Sequence, residues 1–464
     1  MKLIAAFRMP FYSQAAYCLL FTADCRPSMP SVNFLLSPSE KSMHKIHRSS
    51  WLLALLFYGI YFILMPARGC DYDMQCWAQW ASYIFEHGLG HAYGSGTNYG
   101  PGHLYELKLY TLLFHSPQEV TDHIYYLKYF TLLFDIAGAL LVCSLFATRS
   151  AQAGILLAFM LNPAYLHNNV IWGQFDSVFS TLAFAAFLAA YQKRFLLSVT
   201  LYLISLNFKL QAILFFPALT LLLLYRSELK IEWKKIARGA LVLVLVEGII
   251  VLPFILQSQG MRLWHTASGV GGSYNFVALN ASTVWHLILE GGDLRWMPDR
   301  IEYFGIPLKA WGLLLAAGSF FLVLLPLIAA LIKLLRKKPA ALSFNRLLVL
   351  FALSVLVFFY FNTQMHERYT FPAFLFIASF SFLAKRWWIY VLFSAAYFLN
   401  NEKALSYFRQ FDHELWIFDY WIASALYLAV ILALAFYHAG GYKFRFKTGN
   451  KVIRLIHLSG NSKT

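Results

Sequence analysis

Apolar runs bounded by short basic stretches recur from Trp51 to Tyr437, and this repetition decides the fold class before any motif is considered. Inside lipid, backbone N–H and C=O groups have no water to bond, so a segment that crosses must satisfy them internally, as a helix does. Hydrophobic residues make up 59% of the 464 residues and charged residues 13%, against roughly 25% charged in an ordinary soluble domain. The chain therefore reads as an all-α polytopic membrane protein with about 12 transmembrane helices, each needing ~20 residues to cross. Candidate spans are Trp51–Ala67, Tyr125–Ala147, Ala151–Leu166, Val178–Tyr191, Phe195–Leu206 and Ala212–Tyr225, then Gly239–Leu256, Leu308–Leu335, Leu347–Phe361, Phe371–Leu383, Trp387–Asn400 and Leu415–Tyr437. Several fall short of a full crossing and are expected to recruit flanking residues.

The basic residues set the orientation. Lys45 and Arg48, Arg149, Lys193-Arg194, the stretch from Arg226 to Arg238, Lys333 to Arg346, Lys385-Arg386 and Lys443 to Lys451 fall on one face if every span alternates. By the positive-inside rule that face is cytoplasmic. The net charge of +16 is thus accounted for by topology and anionic headgroups, and no nucleic-acid partner is expected. The segment His103–Phe114 would break the alternation if it crossed, so it reads as an interfacial helix. Two large outer loops result, 68–124 and 257–307, with short outer turns at 167–177, 207–211, 362–370 and 401–414. Residues 1–42 read as an extension or as a start placed too far upstream, residues 43–440 as the transmembrane domain and residues 441–464 as a basic cytoplasmic tail. Cys70 and Cys76 read as two isolated small residues, with a disulfide the alternative on an oxidising face.

Residues able to do chemistry cluster on the outer side. Asp71 and Asp73 open the first loop, where partial burial raises a carboxylate towards use as a general base; a solvated loop acid is the plainer alternative. Tyr99 and His103 flank a Gly-Pro turn and are weak candidates for touching a sugar. In Trp172-Gly173-Gln174-Phe175-Asp176, the indole offers a stacking face, while Gln174 and Asp176 offer hydrogen bonds to hydroxyls. Asp176 or Ser177 is also expected to cap the following helix. Lys209 and Gln211 interrupt an apolar stretch, where a lysine either snorkels or pairs with an anion such as phosphate. In His366-Glu367-Arg368-Tyr369, Arg and His suit a phosphate, Arg by paired donors. His-Glu without a second His at helical spacing is no zinc-protease motif, so metal hydrolysis is rejected.

In order along the chain, these stretches resemble the GT-C superfamily of polyprenyl-phosphate-sugar-dependent glycosyltransferases, most of all prokaryotic relatives of GPI-anchor mannosyltransferases. Asp73, Trp77, Trp80 and Ala81 fall on a first-loop pattern similar to theirs. So do the turn Tyr99 to Gly102, Asn162-Pro163 followed by Trp172 to Asp176, Lys209 with Gln211, Asn280-Ala281 with Trp285, and His366 to Tyr369. Gly100 stands where a second proline is usual, and Leu210 where Lys-Pro-Gln is usual. These departures bear on the subfamily, and so the sugar, more than on the chemistry.

The resemblance implies a GT-C-like bundle with interfacial helices in the first outer loop, and a hexosyl- or pentosyltransferase, in one form a mannosyltransferase. Asp73 would be the general base of an inverting displacement, with Asp71 its rival. Arg368, Lys209 and His366 would hold the donor phosphate, a leaving group that needs no obligatory metal, so neither a metal nor another cofactor is implied. Asp71, Tyr99, His103, Trp172, Gln174, Asp176, Gln211, Asn280, Glu367 and Tyr369 would contact substrate. The implied partners are a polyprenyl-phosphate-linked sugar, a glycan, lipid or protein acceptor, and membrane lipids. The implied location is a bacterial inner membrane with the site on its periplasmic face. A transporter or flippase of a lipid-linked sugar is the alternative; it predicts functional polar residues at mid-membrane and on both faces, often with repeated halves.

Overall fold

The computed structural model describes residues 43–230, 233–269, 274–289 and 293–440, and the backbone of Phe446–Thr448 and Lys451–Ile453. The expected extension over residues 1–42 and most of the expected tail lie outside the described residues. Every segment read as a span carries a helix. In chain order these and the connecting helices are α1 (Arg48–Leu64), α2 (Asp71–His87), α3 (Pro101–Thr111), α4 (Pro117–Asp122), α5 (Leu127–Cys143) and α6 (Arg149–Met160). There follow α7 (Pro163–Leu166), α8 (Asp176–Tyr191), α9 (Phe195–Phe208), α10 (Phe216–Arg226), α11 (Trp233–Leu256) and α12 (Gly260–Gly269). The series ends with α13 (Trp285–Ile288), α14 (Leu308–Leu335), α15 (Phe344–Phe361), α16 (Phe374–Leu383), α17 (Trp387–Leu405) and α18 (Tyr420–Ala439).

Among the described residues, five helices are long and apolar enough to cross a membrane: Ile124–Cys143, Ile236–Leu256, Leu308–Leu335, Phe344–Phe361 and Tyr420–Ala439. Shorter apolar helices include Arg48–Leu64, Asp176–Tyr191 and Phe195–Phe208. Two spans mark the extremes of the bundle. In Phe344–Phe361, 78% of the span is buried, whereas in Ile236–Leu256 only 6% is. The first is therefore the core helix, and the second offers its leucines and valines to lipid.

Aromatic rings fill the main core, with Phe184, Phe187, Phe215, Phe351 and Phe376 in mutual contact where α8, α15 and α16 meet. A second apolar cluster lies under the loop between α1 and α5. It is built on Trp77, Trp80, Tyr93, Leu104 and Phe175, where α2 packs on α3 and α4. The segment expected to lie in the interface is α3, and most of it is buried within this cluster.

Strand structure is minor but placed where it matters. Ala278–Leu279 pairs in parallel with Met365–His366, and Asn280 bridges to His366, joining the 274–307 loop to the turn before α16.

Candidate functional site

Two backbone segments approach closely before any side chain is considered. The link after α1 runs against the turn before α8, where the Cys70 N–H donates to the Trp172 carbonyl at 2.8 Å. Only glycine fits at two points here. A Cβ on Gly69 would lie 2.6 Å from the Trp172 oxygen, and one on Gly173 2.6 Å from Met74 Sδ. Gly173 also has a φ of +92°, a conformation that other residues rarely adopt. The turn itself is a π-helical stretch, His167–Ile171, following the Asn162-capped α7. π-bulges of this kind recur at functional sites.

That contact sets Asp73 and Trp172 side by side. Asp73 Oδ2 accepts from Trp172 Nε1 at 2.7 Å and from Gln174 Nε2 at 2.5 Å. Arg368 Nη2 lies 3.9 Å from the same oxygen, and its guanidinium sits over the Trp172 ring at 5.5 Å. Among the described residues Oδ1 receives no hydrogen bond. Asp71, two residues earlier, is exposed at the start of α2 and joins none of these contacts.

The opposite side of the cluster holds paired charges. Lys209, the residue that follows α9, donates to Asp176 and lies 5.5–5.9 Å from the rings of Tyr369, Phe179 and Phe175. The structure does not form the expected cap on α8. Phe175 is the N-cap residue and gives no side-chain bond, because Asp176 turns to Lys209 while Ser177 donates to the Thr131 carbonyl. Arg368 Nη1 contacts Glu367 Oε1 at 2.5 Å, and His366 Nδ1 lies 3.7 Å from Glu367 Oε2. Burial would raise the Glu367 carboxyl, but Arg368 and then His366 overcome it and hold Glu367 down at about 2. Burial likewise lowers the Lys209 ammonium, with Asp176 pulling the other way. The Arg368 guanidinium is disfavoured by burial, yet Asp73 and Glu367 hold it well above its ordinary value.

Gln211 Nε2 donates to the Tyr369 carbonyl at 2.7 Å, fastening the α9–α10 connection to the arginine turn. Several buried polar atoms of these residues have no hydrogen-bond partner among the described residues: Gln174 Oε1, Asp176 Oδ2, Gln211 Oε1 and Arg368 Nε. Buried polar groups are normally bonded, so each of these atoms is open to a further polar partner.

Other expected contact residues take different positions. His103 is buried, stacked on Phe175 at 4.0 Å with Nδ1 3.0 Å from Glu106, and Tyr99 packs edge-on to Trp77 and Phe175. Both form the aromatic layer that supports Phe175. Asn280 accepts from the Tyr420 hydroxyl at 3.0 Å and lies next to His366 through the bridge between their backbones. Cys70 and Cys76 are both free thiols.

Two buried polar groups around the site had no signal strong enough to single them out. Lys128 occupies the first turn of α5, in a span that also holds buried Asp135, and its ammonium is buried against main-chain carbonyls. Glu402, near the end of α17, accepts from His413 and the Phe408 N–H through Oε1, and lies 3.0 Å from His167 Nε2 through Oε2. A charge inside a predicted span was the only trace of Lys128. Glu402 falls inside the expected outer turn 401–414.

The comparisons with known proteins bear on this arrangement. A family model described as ALG3 protein matches residues 95–277. The match includes Trp172, Gln174, Asp176, Lys209 and Gln211 and stops short of Asp73 and the 366–369 turn. No curated protein matches the chain. Together with the apolar helices, the family match supports a membrane glycosyltransferase.

Proposed function

We propose that the side-chain cluster of Asp73, Trp172, Lys209 and Arg368 transfers a sugar, in the first instance mannose, from a polyprenyl phosphate to an acceptor hydroxyl. The observation that carries this reading is the meeting of one open carboxylate edge with two buried cations. Asp73 has Oδ2 occupied by two neutral donors and Oδ1 free, the disposition a base needs to receive a proton without losing its place. Arg368 and Lys209 stand where a phosphate could be met, and a leaving lipid phosphate gains charge as its bond to carbon breaks.

In this reaction the acceptor oxygen attacks the anomeric carbon as that carbon parts from the phosphate oxygen. Configuration inverts, the acceptor proton passes to Asp73 Oδ1, and the electron pair of the broken bond stays on the lipid phosphate. Arg368, with Nε unpartnered, and Lys209 take up the charge gained, while Gln174 and Gln211 present free carbonyl oxygens to sugar hydroxyls. The donor lies in the membrane with its head on the side opposite the basic loops. Ile236–Leu256, so little buried, suits a protein that must recruit a lipid substrate from the bilayer.

The test is transfer itself. Purified protein in nanodiscs is given radiolabelled polyprenyl-phosphate mannose with a panel of glycan, lipid and peptide acceptors. A new glycosidic bond, lost in Asp73→Asn while the protein stays folded, supports the reading; full transfer by that variant moves the base elsewhere. Passage of intact donor across the bilayer without any bond made would replace the enzyme by a flippase.

A further inference from the structure

Lys128 is an unusual lysine. It is 1% exposed, forms no ion pair among the described residues, and spends its ammonium on main chain. Nζ donates to the Pro66 carbonyl at 3.0 Å, the Arg68 carbonyl at 2.5 Å and the Val170 carbonyl at 3.0 Å. An ammonium has three N–H donors, so all are used. A buried charge without a counter-ion is costly and persists where the surroundings need it.

The three carbonyls belong to the two segments whose contact creates the site. Pro66 and Arg68 lie in the link that leads to Asp73, and Val170 lies in the π-helical turn that leads to Trp172 and Gln174. The Lys128 stem also passes the turn's glycine, since a Cβ on Gly173 would be 3.3 Å from Lys128 Cε. The main chain of Lys128 takes part as well: its carbonyl accepts from Asn169 Nδ2 at 3.2 Å. One residue thus holds both strands of the junction from below. Neutral groups that join them directly are few, chiefly the Cys70 to Trp172 backbone bond and the Trp77 indole donating to the Gly173 carbonyl at 3.3 Å.

We infer that Lys128 is a positioning residue for the transfer reaction: its ammonium fixes the distance between the segment carrying Asp73 and the turn carrying Trp172 and Gln174. The inference rests on the glycosyl-transfer reading above. Lys128 touches neither donor nor acceptor and acts only through the hydrogen bonds that orient Asp73. Methionine at this position keeps the apolar stem and removes all three donors, so the two segments part and Asp73 loses its alignment.

A double-mutant cycle on the full chain in nanodiscs tests this, using only monodisperse protein and active-site concentrations fixed by titration with donor. Lys128→Met should lower kcat by about 30-fold in the wild-type background with little change in KM for the donor. In a Trp172→Phe, Gln174→Leu background, where the orienting bonds are already gone, the same substitution should cost less than about 3-fold. Equal losses in both backgrounds would make Lys128 a purely structural residue and overturn the inference while leaving the transfer reading intact. A wild-type protein that transfers no sugar overturns both. Should Lys128→Met not fold, Lys128→Gln, which keeps two donors, is put through the same cycle; if neither folds, the lysine is a folding determinant and the assignment is wrong.

Discussion

Asp73 and Asp176 belong to the same cluster and carry the same functional group, yet the fold gives them different partners. Asp73 is reached by an indole and an amide on one oxygen, with its side chain 13% exposed. Asp176 is 1% exposed, bound to Lys209 through one oxygen, with the other buried and unpartnered. Two neutral donors, with the Arg368 guanidinium farther off at 3.9 Å, hold Asp73 by one oxygen and leave Oδ1 open. A buried ammonium neutralises Asp176 and makes it part of the scaffold. The difference teaches that two acids of one cluster are told apart by their partners and not by their proximity to one another.

The largest effect should separate the two directly. Asp73→Asn should lower kcat by about 10³-fold or more, the scale of lost general-base catalysis, without shifting thermal unfolding in detergent. Equal activity in that variant would erase the distinction. Arg368→Gln should follow, at about 10²-fold in kcat for transfer from polyprenyl phosphate, as expected where a developing charge loses a preorganised donor. Asp176→Asn should behave as the converse of Asp73→Asn. It strands the Lys209 ammonium and should destabilise the protein by about 3 kcal/mol. Adding Lys209→Met should recover much of that loss, read as the unfolding temperature of the single and double variants.

A smaller effect sharpens the Asp73 side alone. Trp172→Phe removes one charge-assisted bond to Oδ2 and should cost about 10-fold in kcat, with Gln174 still in place. The smallest is a pH effect on the charged side. Glu367 is held at about 2 by Arg368 and His366 despite burial. Its folded value lies below its ordinary value of 4.5, so its contribution to stability is complete above the unfolded value and fades as pH falls through the folded one. The stability gap between wild type and Glu367→Gln should therefore stay constant from pH 7 to about 5 and close only below, as measured by thermal unfolding.

Much of this was legible in the sequence, and for identifiable reasons. The helices were, because hydropathy acts on each segment by itself. The expected span Trp51–Ala67 is Arg48–Leu64 in the structure, and Phe195–Leu206 is Phe195–Phe208. Asp73, Trp172, Gln174, Lys209 and Arg368 were legible as a set because polar residues at the ends of apolar runs are few and costly. What stayed hidden depends on pairing at a distance. Nothing around Asp176 says that it meets a lysine 33 positions later, in preference to capping its own helix. His103 looked available beside a Gly-Pro turn but is stacked under Phe175, and Lys128 gains its meaning from carbonyls contributed by other segments.

One modest feature has wide reach. The ladder Ala278–Leu279 with Met365–His366 is two residues long and parallel, and successive residues of a strand face opposite ways. In the observed register Met365 is buried and His366 is partly open. A slip of a single residue would bring a thioether to the half-open position and drive an imidazole inward, with Arg368 two positions behind. The long loop before α14 and the cationic turn are therefore geared together, and a deletion in the one should be felt as a misaimed guanidinium in the other.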